Sequence, residues 1–167
     1  MSILDVPIIS RIRRNHGLEH ASITILSEQF PYRPLAGYSY PGGFFLVGDI
    51  PTEHVREAVM QALTRMNNGE RFLAVHPNCG TNYAVSGFVA GSLAWLGMAG
   101  AKTRRDKVER LPVLIGLATV GLILGARLGP LVQERITTSG DPAGMTVVSI
   151  FPVRIGRFSM HQVITQG

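Results

Sequence analysis

Apolar positions recur at helical spacing near the start of the chain. Ile9, Ile12, His16, His20 and Ile23 fall on one face, predicting an amphipathic helix over residues 7–26. Pro31, Pro34 and the run Pro41-Gly42-Gly43 then predict irregular loop and turn. The apolar stretch 43–48 reads as a strand. Pro51-Thr52-Glu53 opens a second helix with Val55, Val59 and Leu63 as its stripe, closed by Asn67-Asn68-Gly69. Residues 71–76 read as another strand.

The middle of the chain changes character. No charged side chain occurs over 78–101, and 83–101 is almost wholly small or apolar. A basic loop follows with Lys102, Arg104, Arg105, Lys107 and Arg110, and a second uncharged run covers 111–126. A membrane-spanning helix needs about 20 apolar residues at about 1.5 Å each. The pattern predicts a transmembrane hairpin with spans near 82–101 and 111–130, Arg127 snorkelling to the headgroups. Gly87-x-x-x-Gly91 and Gly121-x-x-x-Gly125 are small-residue faces suited to close helix approach. Beyond a turn at Ser139-Gly140-Asp141-Pro142, residues 145–151 and 157–165 alternate as two strands joined through 153–156. The expected fold is a small α+β domain (1–80), a transmembrane hairpin (81–132) and a C-terminal β hairpin (139–167). Two crossings return that hairpin to the side of the first domain, where it can complete the sheet.

Composition supports the membrane reading. Only 16% of the 167 residues are charged and 46% are hydrophobic, against about 25% charged in an average soluble domain. The net charge of +5 is spread along the chain and accompanies no nucleic-acid-binding motif, so nucleic acid is not an expected partner. The single cysteine, Cys79, excludes an intrachain disulfide. Orientation receives opposed signals. The basic loop favours a cytoplasmic hairpin turn, whereas the N-terminus lacks the pattern of a cleaved signal peptide. The second argument favours a cytoplasmic N-terminal domain.

The chemistry concentrates in two short blocks. His16-Gly17-Leu18-Glu19-His20 is an H-x-x-E-H pentad. Its imidazoles, four residues apart on a helix, stand about 6 Å apart at Cβ, which suits two ligands of one tetrahedral ion. Glu19 lies where a metal-bound water needs its base. The second block, His76-Pro77-Asn78-Cys79-Gly80-Thr81-Asn82, offers an imidazole and a thiolate that both suit zinc. One ligand from it would leave a catalytic water position, whereas His76 and Cys79 together would close a structural site. Two alternatives stand beside this. Cys79 and a histidine would form a nucleophilic pair, or Cys79 is simply buried while Asn82 caps the next helix.

The blocks Arg14-Asn15-His16-Gly17-Leu18-Glu19-His20 and His76–Asn82 together resemble an uncharacterised bacterial membrane-protein family that pairs them around a small domain and a membrane hairpin. That resemblance covers most of the chain and implies architecture. The pentad, Gly42-Gly43-Phe44-Phe45 and the helix beginning at Pro51 are also similar in order to inverzincin metallopeptidases. That similarity implies His16 and His20 as metal ligands and Glu19 as base. The distal glutamate ligand of those enzymes has no counterpart, since the corresponding stretch near Trp95 is apolar. The expectation is a multi-pass cell-membrane protein acting as a zinc-dependent hydrolase, with peptide bonds near the bilayer as substrate. The alternative is a non-catalytic membrane protein or accessory subunit with a structural metal or none. The expected partners are the lipid bilayer and, through the glycine-rich faces, a second copy or a larger membrane complex.

Overall fold

The computed structural model describes residues 2–156 and 158–167. Its elements divide into two compact units, one comprising residues up to His76 with Glu134–Gly167, the other Pro77–Gln133.

The first unit is a two-layer α+β structure. Helix α1 (Pro7–Gln29) begins with proline, whose fixed φ and missing N–H suit a first turn. It stops at Phe30, where the following Pro31 disfavours further helix. Strands β1 (Ala36–Tyr40) and β2 (Gly43–Val47) form a hairpin. Helix α2 (Thr52–Asn67) ends before Gly69, whose φ of +97° suits glycine. The final strands, β3 (Thr146–Ile155) and β4 (Phe158–Gln166), turn at Gly156, with φ +59°. Residue 157, which the sequence pattern assigned to this last strand, lies outside the described residues.

The four strands form one antiparallel sheet in the order β1-β2-β4-β3. Register places Leu46 opposite His161 and Phe44 opposite Val163. Leu18, Leu26, Phe44, Val55, Val59 and Val163 are all buried and form the centre of the core between helices and sheet. At about 25 cal/mol per Å² of apolar area, such burial is the main favourable term. Pro152 lies on the edge strand β3, where a missing donor does least harm.

Two local expectations are corrected here. Residues 71–76 are not a strand; Arg71–Ala74 form a 3-10 turn. Leu73 and Ala74 are buried side by side against α1, whereas a strand would alternate them. The stretch after Pro34 is not all loop, because it contains β1.

The second unit pairs α3 (Gly80–Met98) with α5 (Leu111–Val132), joined by a short helix α4 (Arg104–Glu109). Thr103 and Asp106 cap α4 reciprocally. The long helices run antiparallel at close approach. A Cβ on Gly121 would lie 2.5 Å from the Ala90 Cα, Gly125 abuts Ser86, and Gly129 abuts Asn82. These contacts advance in steps of four residues on both helices, as interlocking ridges require.

The membrane hairpin expectation is corrected in two respects. Leu111–Thr137 is the one helix among the described residues long and apolar enough to cross a membrane. α3 falls short because Thr81, Asn82, Tyr83, Ser86 and Ser92 dilute its apolar run. The Gly87 and Gly91 face of α3 does not meet α5 either; a Cβ at each would enter open space. Ser86 and Ala90 form the packed face instead. Leu122, Ile123, Leu124 and Leu128 of α5 are exposed. Arg127 is exposed within this span.

Candidate metal centre

Helix α1 is pinned to the sheet one residue before the pentad. Asn15 is buried, its amide donating to the Tyr40 carbonyl at 2.8 Å and accepting from the Thr165 hydroxyl at 2.6 Å. Gly17 lets the Ser139 carbonyl lie against the helix where any side chain would collide.

His16 and His20 stack edge to face with ring centroids 4.3 Å apart. One ligand-type nitrogen of each lies within 4.8 Å of the other. Their Nδ1 atoms share one arrangement, His16 bonding the Thr137 carbonyl at 3.0 Å and His20 the Ala74 carbonyl at 2.8 Å. A carbonyl oxygen only accepts, so both Nδ1 atoms carry hydrogen and the neutral rings keep their lone pairs on Nε2. That is the outer-shell pattern of metal-ligating histidines, in which a backbone carbonyl fixes tautomer and ring orientation.

His76 lies beside the pair, its ring centroid 5.9 Å from that of His20. His20 is buried, while His16 and His76 are half-buried. Cys79 precedes α3, where its Sγ accepts the Thr81 N–H at 3.4 Å. The cap expected from Asn82 is therefore supplied by Cys79. Asn82 instead donates to the Pro77 carbonyl and accepts from Gln133. Within the first unit, the imidazoles of His16 and His20 form a donor pair that suits a metal ion.

Glu19 is buried at 4% exposure and its Oε2 accepts from the Ser39 hydroxyl at 2.5 Å. Gly37 of β1 provides the space, since a Cβ there would collide with the Glu19 carboxylate. Replacing Ser39 with alanine removes that donor from a buried carboxylate and is expected to cost about 1–3 kcal/mol. Chemical denaturation of Ser39→Ala beside the parent checks it; an unchanged midpoint would show that the hydroxyl does not hold Glu19.

Asn15, Gly17, Gly37 and Ser39 carry no signal of chemistry in the sequence. The one available hint is Asn15, a weak helix former in the middle of a helix. The two remaining histidines lie elsewhere. His54 is exposed on α2, its ring 5.2 Å from that of Phe30. His161 is 2% exposed, and its Nε2 sits 3.0 Å from the Thr52 hydroxyl.

Burial lowers the pKa of His161 below its ordinary 6.5 because the charged ring loses hydration. Its folded value lies below its unfolded one, so the unfolded chain binds more protons as pH falls past 6.5. The stability contributed by neutral His161 is complete above that pH and lost on acidification through the folded value. Relative to His161→Gln, the parent's stability advantage is expected to shrink from about pH 7.5 to about pH 5. Paired denaturation curves test this, and a constant difference across that range would contradict it.

A domain of unknown function (DUF6391) matches residues 11–150. An uncharacterised protein of Picosynechococcus sp. is 33% identical over 141 residues, covering 77% of this chain and 66% of that relative. No solved structure matches.

Proposed function

Taking as premise that the chain belongs to the DUF6391 family, we propose that it is a membrane-associated, zinc-dependent hydrolase with its metal centre at the pentad. The observation that carries this reading is the shared fixing of His16 and His20, each Nδ1 on a backbone carbonyl. Two imidazoles so held, plus either His76 or Cys79 from the next block, make a three-ligand set with one position left for water. His76 is drawn in by its nearness to His20, and Cys79 by its place three residues further along the chain. A zinc ion there would act as a Lewis acid and bring a bound water toward neutral pKa.

Within that reading His16 and His20 hold and orient, and Glu19 takes the proton that the attacking water gives up. The Ser39 hydroxyl aims the Glu19 carboxylate. α5 is long and apolar enough to span a bilayer, which supports a membrane-associated reaction. The substrate class is a peptide or a similar acyl compound at the membrane surface.

A second reading is favoured by the same Ser39 contact. A carboxylate tied to β1 also serves as a strut between α1 and the sheet, and four donors from both blocks would close a structural zinc site. Glu19→Gln separates the two. It is expected to retain zinc and lose about 100-fold or more in hydrolysis of a peptide or ester reporter. Full zinc with unchanged hydrolysis would remove Glu19 from the reaction.

A further inference from the structure

A cavity of about 420 Å³ opens in the first unit beside the carbonyls that hold the two histidines. Its wall includes Ala74, whose carbonyl fixes His20, and Thr138, next to the Thr137 that fixes His16. The volume lies in the range of small-molecule sites.

The deepest charge in this wall is Arg13. It stands half-buried on α1, with Nη2 donating to the Arg135 and Thr138 carbonyls at 3.1 and 3.0 Å. Those bonds lock the plane of the guanidinium. Its Nε is buried with no hydrogen-bond partner among the described residues. No carboxylate forms an ion pair with Arg13 among the described residues. Both Nη2 hydrogens are taken by those carbonyls, so Nη1 is the donor left to meet an anion. A partly desolvated cation without a counter-ion is unfavourable, and a carboxylate supplies the matching charge.

The mouth carries the remaining charges. Arg71 and Asp141 face each other at 3.8 Å and are both well exposed, and Glu134 is also exposed there. Asp141 is engaged elsewhere too, accepting the Ala143 N–H at 2.8 Å. Arg71 is therefore loosely held and able to turn toward a bound anion. Phe72 and Val75 add an apolar side to the opening.

We propose that this cavity binds the carboxylate of a small molecule with an apolar body, such as a peptide's C-terminal residue, between Arg13 and Arg71. The assignment deepens the hydrolase reading and rests on it only for its role, which is to anchor substrate next to the histidine pair. The binding itself needs no metal.

Calorimetric titration of the full-length protein in detergent tests it, with N-acetylphenylalanine and its uncharged amide as probes. The acid is expected to bind about tenfold or more tightly than the amide. That preference should fall in Arg71→Gln, a surface change that leaves the core intact, and in Arg13→Lys, which keeps the charge and loses the guanidinium plane fixed by the two carbonyls. It should persist in protein stripped of metal and carrying His16→Ala with His20→Ala. Equal binding of acid and amide would overturn the proposal. So would a preference that both arginine variants retain, or one present only with zinc bound, because the anion would then be on the ion. Zinc absent with the preference intact removes the metal reading and leaves the cavity standing; zinc retained with no preference does the reverse.

Discussion

Adding one methyl group at Gly121 is expected to unfold or separate the α3–α5 pair, whereas the same change at Gly87 is expected to be harmless. The Cβ of Gly121→Ala would lie 2.5 Å from the Ala90 Cα and 2.8 Å from the Ala90 nitrogen. Both are backbone atoms, so no rotamer change relieves the overlap and the helices themselves must part. Their contact continues through Gly125 on Ser86 and Gly129 on Asn82, so a local displacement loosens the whole seam. Overpacking of this kind costs roughly 3 kcal/mol or more when backbone has to move. At Gly87 nothing lies within 4 Å, and alanine is the better helix former by up to about 1 kcal/mol. Thermal melts of both variants in one detergent read the contrast. Similar melting temperatures for the two would show that α3 and α5 do not pack through this glycine row.

Zinc retention is expected to fall at least 100-fold on replacing His16 and His20 together, a loss larger than the 10- to 100-fold typical of outer-shell changes. Two of three protein ligands leave, and what remains from the His76 block cannot enclose an ion. The double variant also strips the Ala74 and Thr137 carbonyls of their imidazole partners, at about 1–3 kcal/mol for each that stays buried. Single His16→Ala is therefore the informative companion, because that ring is half-buried and its removal disturbs the core less. Elemental analysis after dialysis against a weak chelator gives the ratio, with circular dichroism to establish that each variant remains folded. A double variant that keeps the parent's zinc content would place any ion elsewhere.

Local sequence made α1, α2, β2 and the two long helices of the second unit legible, since each is a sustained pattern with a proline or glycine at an end. β1 was hidden because Ala36-Gly37-Tyr38-Ser39-Tyr40 offers no apolar alternation, and its first three positions are exposed. Residues 71–76 looked like a strand because Phe72, Leu73, Ala74 and Val75 are continuously apolar. The turn at Gly69 and burial of Leu73 and Ala74 against α1 wind them into 3-10 geometry instead. The first expected span, α3, is uncharged yet carries Thr81, Asn82, Tyr83, Ser86 and Ser92, whose polarity leaves α5 as the helix apolar enough to cross a membrane among the described residues. At the candidate site, i to i+4 spacing already set two imidazoles side by side. The carbonyls that fix them come from 121 and 54 residues away, and no local pattern encodes such pairings. Glu19 illustrates the same limit, because its partners Ser39 and Gly37 acquire meaning only once β1 lies beside α1.

Whether the histidine pair holds a metal is read by X-ray absorption at the zinc edge of the zinc-loaded protein. The predicted spectrum shows about one zinc per chain with at least two imidazole nitrogens near 2.0 Å, a distance ordinary for zinc–histidine bonds. A sulfur shell near 2.3 Å would identify Cys79 as a further ligand. Zinc that dialyses away, or a bound ion surrounded by oxygen alone without imidazole scattering, would contradict a metal site at this pair.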